Sequence, residues 1–151
     1  MPDETLPEHP WAEGEPPPAR TCWAWQPAGL DDLPRVRREF RHRMAGGLDG
    51  LAPLSGDALE DAVVALDELM SNALRHGRAP VEVEICACEH GLLALVSDRA
   101  SEAPPRPTFT RDPAQGGMGL GIVAQASTAS GWFTRDDVKV VWAVLPDGSV
   151  R

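Results

Sequence analysis

The residues with the clearest chemical potential lie on one short segment, ALDELMSNALRHG, which runs from Ala65 to Gly77. Its apolar residues recur at spacings of three and four, a pattern that predicts an amphipathic helix. Glu68 and Asn72 are four residues apart, so they share one face of that helix. An acid and an amide on one face, followed by His76, suit a site that holds a metal ion and orients a proton acceptor. The alternative is an ordinary helix with both polar side chains in solvent.

Two further features follow in the chain. Asp98 comes directly after the apolar segment LLALVS, so its carboxylate stands at the end of a predicted strand. A glycine-rich loop, GGMGLG, then runs from Gly116 to Gly121 and leads into a predicted helix near Leu120. Glycines let the backbone approach a phosphate closely, and a helix start directs free N–H groups at an anion. Taken alone, each feature is also compatible with an ordinary turn.

This ordered set resembles the GHKL ATPase superfamily, and within it the anti-sigma-factor serine/threonine kinases and stand-alone ATP-binding regulators of actinobacteria. The resemblance covers roughly residues 30–145. The segment Glu68-xxx-Asn72-Ala73-xx-His76-Gly77 looks like the N box of the family, and Asp98 looks like the acid of its first glycine box. The second glycine box is matched by five consecutive residues: Gly117, Met118, Gly119, Leu120 and Gly121.

The resemblance implies a role for each matched residue. Asn72 is expected to bind Mg²⁺, and Glu68 to activate the attacking nucleophile. Asp98 is expected to accept a hydrogen bond from the exocyclic amine of adenine, which favours ATP over GTP. Ala100 is expected under the adenine ring, and the second glycine box around the phosphates. One departure matters: Asp98 to Glu102 reads DRASE and lacks both glycines of the usual Asp-x-Gly-x-Gly, which favours a weakened nucleotide pocket.

The implied function is that of an ATP-binding regulator in transcription control. Such a protein phosphorylates a Ser or Thr of an anti-sigma antagonist of the STAS type, sequesters a sigma factor, or does both. Its ligands would be ATP, ADP and Mg²⁺, and a homodimer is a further expectation. The alternative is a non-catalytic protein-interaction module on the same fold with a vestigial nucleotide pocket.

Composition narrows the class of protein. A length of 151 residues with 42% hydrophobic residues predicts one domain with its own core. A net charge of −9 argues against direct nucleic-acid binding, which relies on Lys and Arg to neutralise phosphates. No apolar run of about 18 residues predicts a membrane span. The N-terminus lacks the basic start and apolar core of a signal peptide, so a cytoplasmic location is expected.

The predicted organisation is an acidic, proline-rich, disordered tail over residues 1–20, followed by one ATP-binding domain over 21–151. Within that domain the order is strand, two helices, two strands, helix, two strands. This order predicts an α+β two-layer sandwich, with helices packed on one face of a mixed, mostly antiparallel sheet. The proline-rich segment 101–117 is predicted to be an active-site lid. Helix one carries arginines that either face solvent or contact an acidic partner.

The three cysteines permit two interpretations. Cys86 and Cys88 are two residues apart on a predicted strand, so they point to the same face. Metal or redox chemistry is one interpretation. Small buried hydrophobic residues are the favoured one, because no second Cys or His cluster completes a zinc site.

Overall fold

The protein was analysed as a computed structural model, which describes residues 11–89, 91–102 and 119–148. Within these ranges the chain forms three α-helices and six strands. In order they are β1 (Ala12–Glu13), β2 (Ala19–Trp25), α1 (Leu33–Gly46), α2 (Gly56–His76), β3 (Glu82–Cys88), β4 (Gly91–Asp98), α3 (Gly119–Ala126), β5 (Ala129–Arg135) and β6 (Val138–Leu145). A short 3₁₀ turn, Leu30–Asp32, precedes α1.

The strands form one sheet in the order β1-β5-β6-β4-β3-β2. Every neighbouring pair is antiparallel except β1 and β5, which run parallel. Alternate residues of β3, β4 and β6 point into the main hydrophobic core, which they share with all three helices. The opposite face carries a smaller apolar cluster that includes Leu93, Trp142 and Val144. The predicted two-layer α+β sandwich with a mixed, mostly antiparallel sheet is therefore confirmed.

The apolar stripe of α1 explains how this helix packs. Leu33, Val36, Phe40 and Met44 follow helical spacing, and all four side chains are buried in the core. The last hairpin also follows the sequence, because β5 and β6 are joined at Asp136 and Asp137, both of which have positive φ. Asp tolerates this conformation better than most residues, so the Asp-Asp pair favours a tight turn. One boundary differs: the sequence predicts a helix from Leu120 to about Ala129, but α3 ends at Ala126, because pairing with β6 already begins at Ala129.

Residues 11–20 differ from the disordered tail that the composition predicts. The Trp11 side chain is only 2% exposed, and its Nε1–H donates to the Leu120 carbonyl at 3.3 Å. Trp142 Nε1–H donates to the Gly14 carbonyl at 2.9 Å, which anchors the segment beside β5. Burial of a large aromatic ring with its polar N–H satisfied offsets the ordering entropy of this short segment. Residues 1–10 lie outside the described residues.

The structure also differs from the interpretation of the cysteines as small buried hydrophobic residues. Cys22 of β2 lies directly opposite Cys86 of β3, and the two form a disulfide with a Cα–Cα distance of 4.2 Å. The pairing depends on long-range strand register, so the C-x-C spacing alone did not indicate it. Cys88 is a half-buried free thiol. No helix in the described ranges is long and apolar enough to cross a membrane.

Candidate functional site

The polar face of α2 carries the predicted acid and amide. Ala65, Leu66, Leu69, Met70 and Ala73 of this helix are buried in the core, and the intervening positions turn away from it. Glu68 and Asn72 lie among these and are half-buried. Neither side chain makes a hydrogen bond or ion pair within the part of the chain that the structure describes. Both polar groups are thus available to a ligand on this face.

The electrostatic surroundings of Glu68 favour its neutral form. Burial raises the pKa of this carboxyl, and the neighbouring Asp67 raises it further, while Arg75 acts in the opposite direction. Asp67 is itself engaged, because Arg37 of α1 donates to its Oδ1 at 2.6 Å. A carboxylate with a raised pKa is a stronger proton acceptor than an ordinary surface glutamate.

Asp98 occupies a different environment, at the buried end of β4. It is 2% exposed and lies on the side of the sheet that faces the helices. Its Oδ1 accepts the Ala100 N–H at 2.6 Å and the Arg78 N–H at 3.5 Å. Its Oδ2 lies 3.8 Å from the ammonium of Lys139 on the adjacent strand. The carboxylate is therefore fixed on one oxygen, while the other receives no hydrogen bond from the residues described.

Gly77 joins α2 to this carboxylate. The sequence predicts a left-handed residue at the helix end, but Gly77 has φ −89° and ψ −162°, so that prediction is wrong. The requirement is for space, because a Cβ at this position would lie 2.5 Å from both Cγ and Oδ2 of Asp98. A backbone hydrogen bond from Arg99 N–H to the Arg78 carbonyl, 2.8 Å long, ties the two segments together. The end of the predicted N box and the acid of the first glycine box thus lie in contact.

The altered first glycine box is arranged around Asp98. Ala100 is 8% exposed, and its backbone N–H makes the shortest of the contacts to the carboxylate. Glu102 points to the surface, where it pairs with Arg78 at 2.6 Å. Hydrogen bonds from its own backbone and from Arg78 lower the pKa of Glu102. The acid that replaces a glycine of the usual motif is therefore neutralised by a neighbour at the surface.

The second glycine box is described only in part. Gly119, Leu120 and Gly121 form the first turn of α3, which packs against α2. The Leu120 side chain is buried, and its carbonyl accepts the Trp11 N–H described above. Gly117 and Met118, together with most of the predicted lid, lie outside the described residues.

Lys139 is the residue of this region that the sequence analysis missed. It is 6% exposed and lies directly opposite Asp98 in the ladder between β4 and β6. The sequence does contain a signal for this position. The turn at Asp136 and Asp137 fixes where β6 begins, and because side chains alternate between the two faces of a strand, Lys139 lies on the same face as the inward-facing Val141. A lysine at an inward position of an otherwise apolar strand needs a partner.

These features fit an adenine nucleotide. Asp98 offers a buried acceptor oxygen, Gly77 has no side chain beside it, and the Asn72 amide oxygen is a suitable ligand for Mg²⁺. The fold is a two-layer α+β sandwich, and this arrangement is suited to an ATP-binding domain. The family model described as "Histidine kinase-like ATPase domain" matches residues 27–145, and the chain belongs to that family. No curated protein matches the chain.

Proposed function

We propose that this ATP-binding domain is a regulator that phosphorylates a Ser or Thr of a STAS-type anti-sigma antagonist, sequesters a sigma factor, or does both. The observation that carries the proposal is the combination of a fixed, buried Asp98 with Glu68 and Asn72 on α2, which have no partner among the described residues. The first suits base recognition and the second suits phosphoryl transfer to an incoming hydroxyl. Bound Mg-ATP supplies the phosphoryl group, and the chain supplies positioning and a proton acceptor.

Asn72 has the chemistry of a magnesium ligand. Its amide contributes one neutral oxygen, so the charge of the cation remains available to the phosphates. Glu68 lies one turn earlier on the same face, where its raised pKa supports acceptance of the proton from a Ser or Thr hydroxyl. The residues Gly119 and Gly121 permit close backbone approach at the start of α3, with Gly117, Met118 and Leu120 completing the proposed phosphate loop.

The arginines of α1 are evidence for a protein partner with an acidic segment. Arg35, Arg37 and Arg41 pair with acids of this protein, but Arg38 and Arg43 make no ion pair within the described ranges. Arg43 instead stacks over the Trp23 ring at 3.2 Å.

Together with Glu39 and His42, the residues Trp23, Arg38 and Arg43 line a cavity of about 390 Å³ beside the outer strand β2. The 41% exposed Trp23 and the guanidinium of Arg38 suit an acidic, partly apolar ligand. The same sheet edge offers backbone groups for a homodimer.

The second candidate is a protein-interaction module that no longer transfers phosphate. The altered first glycine box favours it, since Ala100 and Glu102 stand where glycines are usual. A cytoplasmic location remains part of our proposal, and the Cys22–Cys86 disulfide is the observation against it, because stable disulfides are rare in reducing compartments. Counting free thiols in alkylated protein would separate a reduced pair from an oxidised one.

Calorimetric titration with ATP, with and without Mg²⁺, tests the site. Replacing Asn72 with Ala should abolish the magnesium-dependent part of the affinity and leave the unfolding temperature unchanged, because the side chain has no partner to lose among the described residues. Ser71→Ala, one position away on the same helix, is the matched control and should bind normally. Unchanged Mg-ATP affinity in Asn72→Ala would remove the assignment of this residue.

Phosphotransfer then separates the two candidate functions. Purified protein is incubated with labelled ATP, Mg²⁺ and a STAS-type antagonist, and phosphorylation of the antagonist is followed by mass spectrometry. Transfer that is lost in Glu68→Gln supports the kinase. Tight nucleotide and partner binding without transfer would favour the interaction module.

A further inference from the structure

The Lys139 side chain is buried, and its ammonium forms an ion pair with Asp98 but no hydrogen bond in the described part of the chain. Its residue exposure is 6%, yet the distance from its Nζ to Asp98 Oδ2 is 3.8 Å, which is too long for a hydrogen bond. Nζ donates no hydrogen bond to any residue that the structure describes. No fully buried side-chain nitrogen of the described residues lacks a hydrogen-bond partner, so Nζ, which has none, keeps some access to solvent and to a ligand. Within that part of the chain, the donors of Lys139 are thus unused beside the carboxylate that faces the proposed nucleotide.

The separation between the two charged groups follows from the backbone. The Ala100 N–H holds Oδ1 of Asp98 at 2.6 Å, so the carboxylate is not free to turn toward Lys139. The strand register sets the other half of the geometry, because Asp98 and Lys139 are direct partners across β4 and β6. The distance between Nζ and Oδ2 therefore stays about 1 Å longer than that of a charge-assisted hydrogen bond, about 2.8 Å. Here a donor and an acceptor instead stand side by side on the helix-facing side of the sheet.

We propose that Lys139 reads the adenine base together with Asp98, by donating a hydrogen bond to the ring nitrogen N1. This inference rests on the proposed function, since it requires adenine beside Asp98. Adenine presents an amine donor and the N1 acceptor on neighbouring atoms of one edge, and Asp98 and Lys139 present the complementary acceptor and donor. Lys139 is then a specificity-determining residue, with its charge-assisted hydrogen bond formed in a largely desolvated position.

Base analogues test this contact without altering the protein. The wild-type protein is titrated calorimetrically with ADP, 1-deaza-ADP and 7-deaza-ADP in the presence of Mg²⁺. The 1-deaza base lacks N1 and keeps the amine, whereas the 7-deaza base keeps both. We expect 1-deaza-ADP to bind at least about tenfold more weakly than ADP, the size of one hydrogen bond to a charged group. The affinity for 7-deaza-ADP should stay close to that for ADP.

The Lys139→Met variant completes a double-mutant cycle. It should bind ADP about tenfold more weakly than the wild type and should no longer distinguish ADP from 1-deaza-ADP. If this variant does not fold, Lys139→Gln takes its place in the cycle and should likewise lose most of the discrimination between ADP and 1-deaza-ADP, because the wild-type titrations alone show only that N1 is contacted. Equal wild-type affinities for ADP and 1-deaza-ADP would overturn the inference and leave the proposed function intact. Failure of all three nucleotides to bind the wild-type protein would instead remove the proposed function, and the role of Lys139 with it.

Discussion

The end of β4 and the polar face of α2 contribute to the same proposed site, but they are built differently. At the end of β4, Asp98 is buried and is contacted by Ala100, Arg78 and Lys139. On α2, Asn72 is half-buried and without a partner in the described part of the chain. The first region is therefore part of the folded core, whereas the second is available for ligands. Substitutions at the first should affect stability and binding together, and substitutions at the second should affect function with only a small change in stability.

Replacing Asp98 with Ala should have the largest effect. The change leaves the buried ammonium of Lys139 without a countercharge, and breaking a buried pair in this way costs about 3–5 kcal/mol. Adenine binding should be lost as well. Urea unfolding measures the first effect and nucleotide titration the second. Asp61→Ala, at an exposed position of α2, is the control and should stay within about 0.5 kcal/mol of the wild type. A stable Asp98→Ala protein that still binds ATP would show that the two regions do not differ.

Replacing Gly77 with Ala should have the next largest effect, since the new Cβ would meet Asp98 Oδ2 at 2.5 Å. Overpacking of this kind costs about 1–3 kcal/mol, and displacement of the carboxylate should weaken adenine binding. Gly46→Ala, at the end of α1, is the matched control because no described atom lies within 4 Å of the place that its Cβ would take. Thermal unfolding of the two variants gives the comparison. Equal melting temperatures would mean that Asp98 moves aside without cost.

The contrast between α2 and the end of β4 also explains how much of the fold and of the proposed site can be predicted from the sequence. Glu68 and Asn72 were identified from helical spacing, which is a local property that survives in any packing of the helix. The inner stripe of α1 and the turn at Asp136 are local patterns of the same kind, one set by helical spacing and the other by a pair of residues that tolerate positive φ. Asp98 was identified as a strand-end acid from the apolar segment before it.

What the sequence did not predict depends on which strands become neighbours. The partner of Asp98 is Lys139, 41 residues further along the chain, and only the β4–β6 register brings them together. The Cys22–Cys86 pair and the burial of Trp11 against α3 have the same origin. The sequence marks Gly77 as a helix end, but a Cβ there would meet both the Ala73 carbonyl of the same helix and the Asp98 carboxylate of a distant strand, and only the fold shows the second contact. Local patterns therefore predicted the elements and proposed Glu68, Asn72 and Asp98 as site residues, whereas the contacts that surround Asp98 required the fold.

Replacing Glu68 with Gln should have the smallest effect on stability and a large effect on transfer. The carboxyl has no hydrogen bond to lose within the described residues, so stability should change little, and ATP affinity should be retained because Asp98 and Asn72 are the proposed nucleotide contacts. Loss of the proton acceptor should slow phosphotransfer by about 10²–10⁴-fold. Retained transfer would indicate that another group positions the hydroxyl.

The effect of Glu68→Gln on stability should depend on pH. Because burial raises the pKa of Glu68 above its value in the unfolded chain, the protonated side chain favours the folded state. This contribution to stability is fully present below the pKa of Glu68 in the unfolded chain and is lost as the pH rises through its pKa in the folded protein. The ionised carboxylate therefore destabilises the folded state slightly at neutral pH. Gln carries no charge at any pH, and the variant should therefore gain melting temperature relative to the wild type between acid and neutral pH. A difference in melting temperature that does not change across that range would mean that Glu68 is solvated like a surface residue. Its pKa would then not be raised, and Glu68 would be no stronger a proton acceptor than an ordinary surface glutamate.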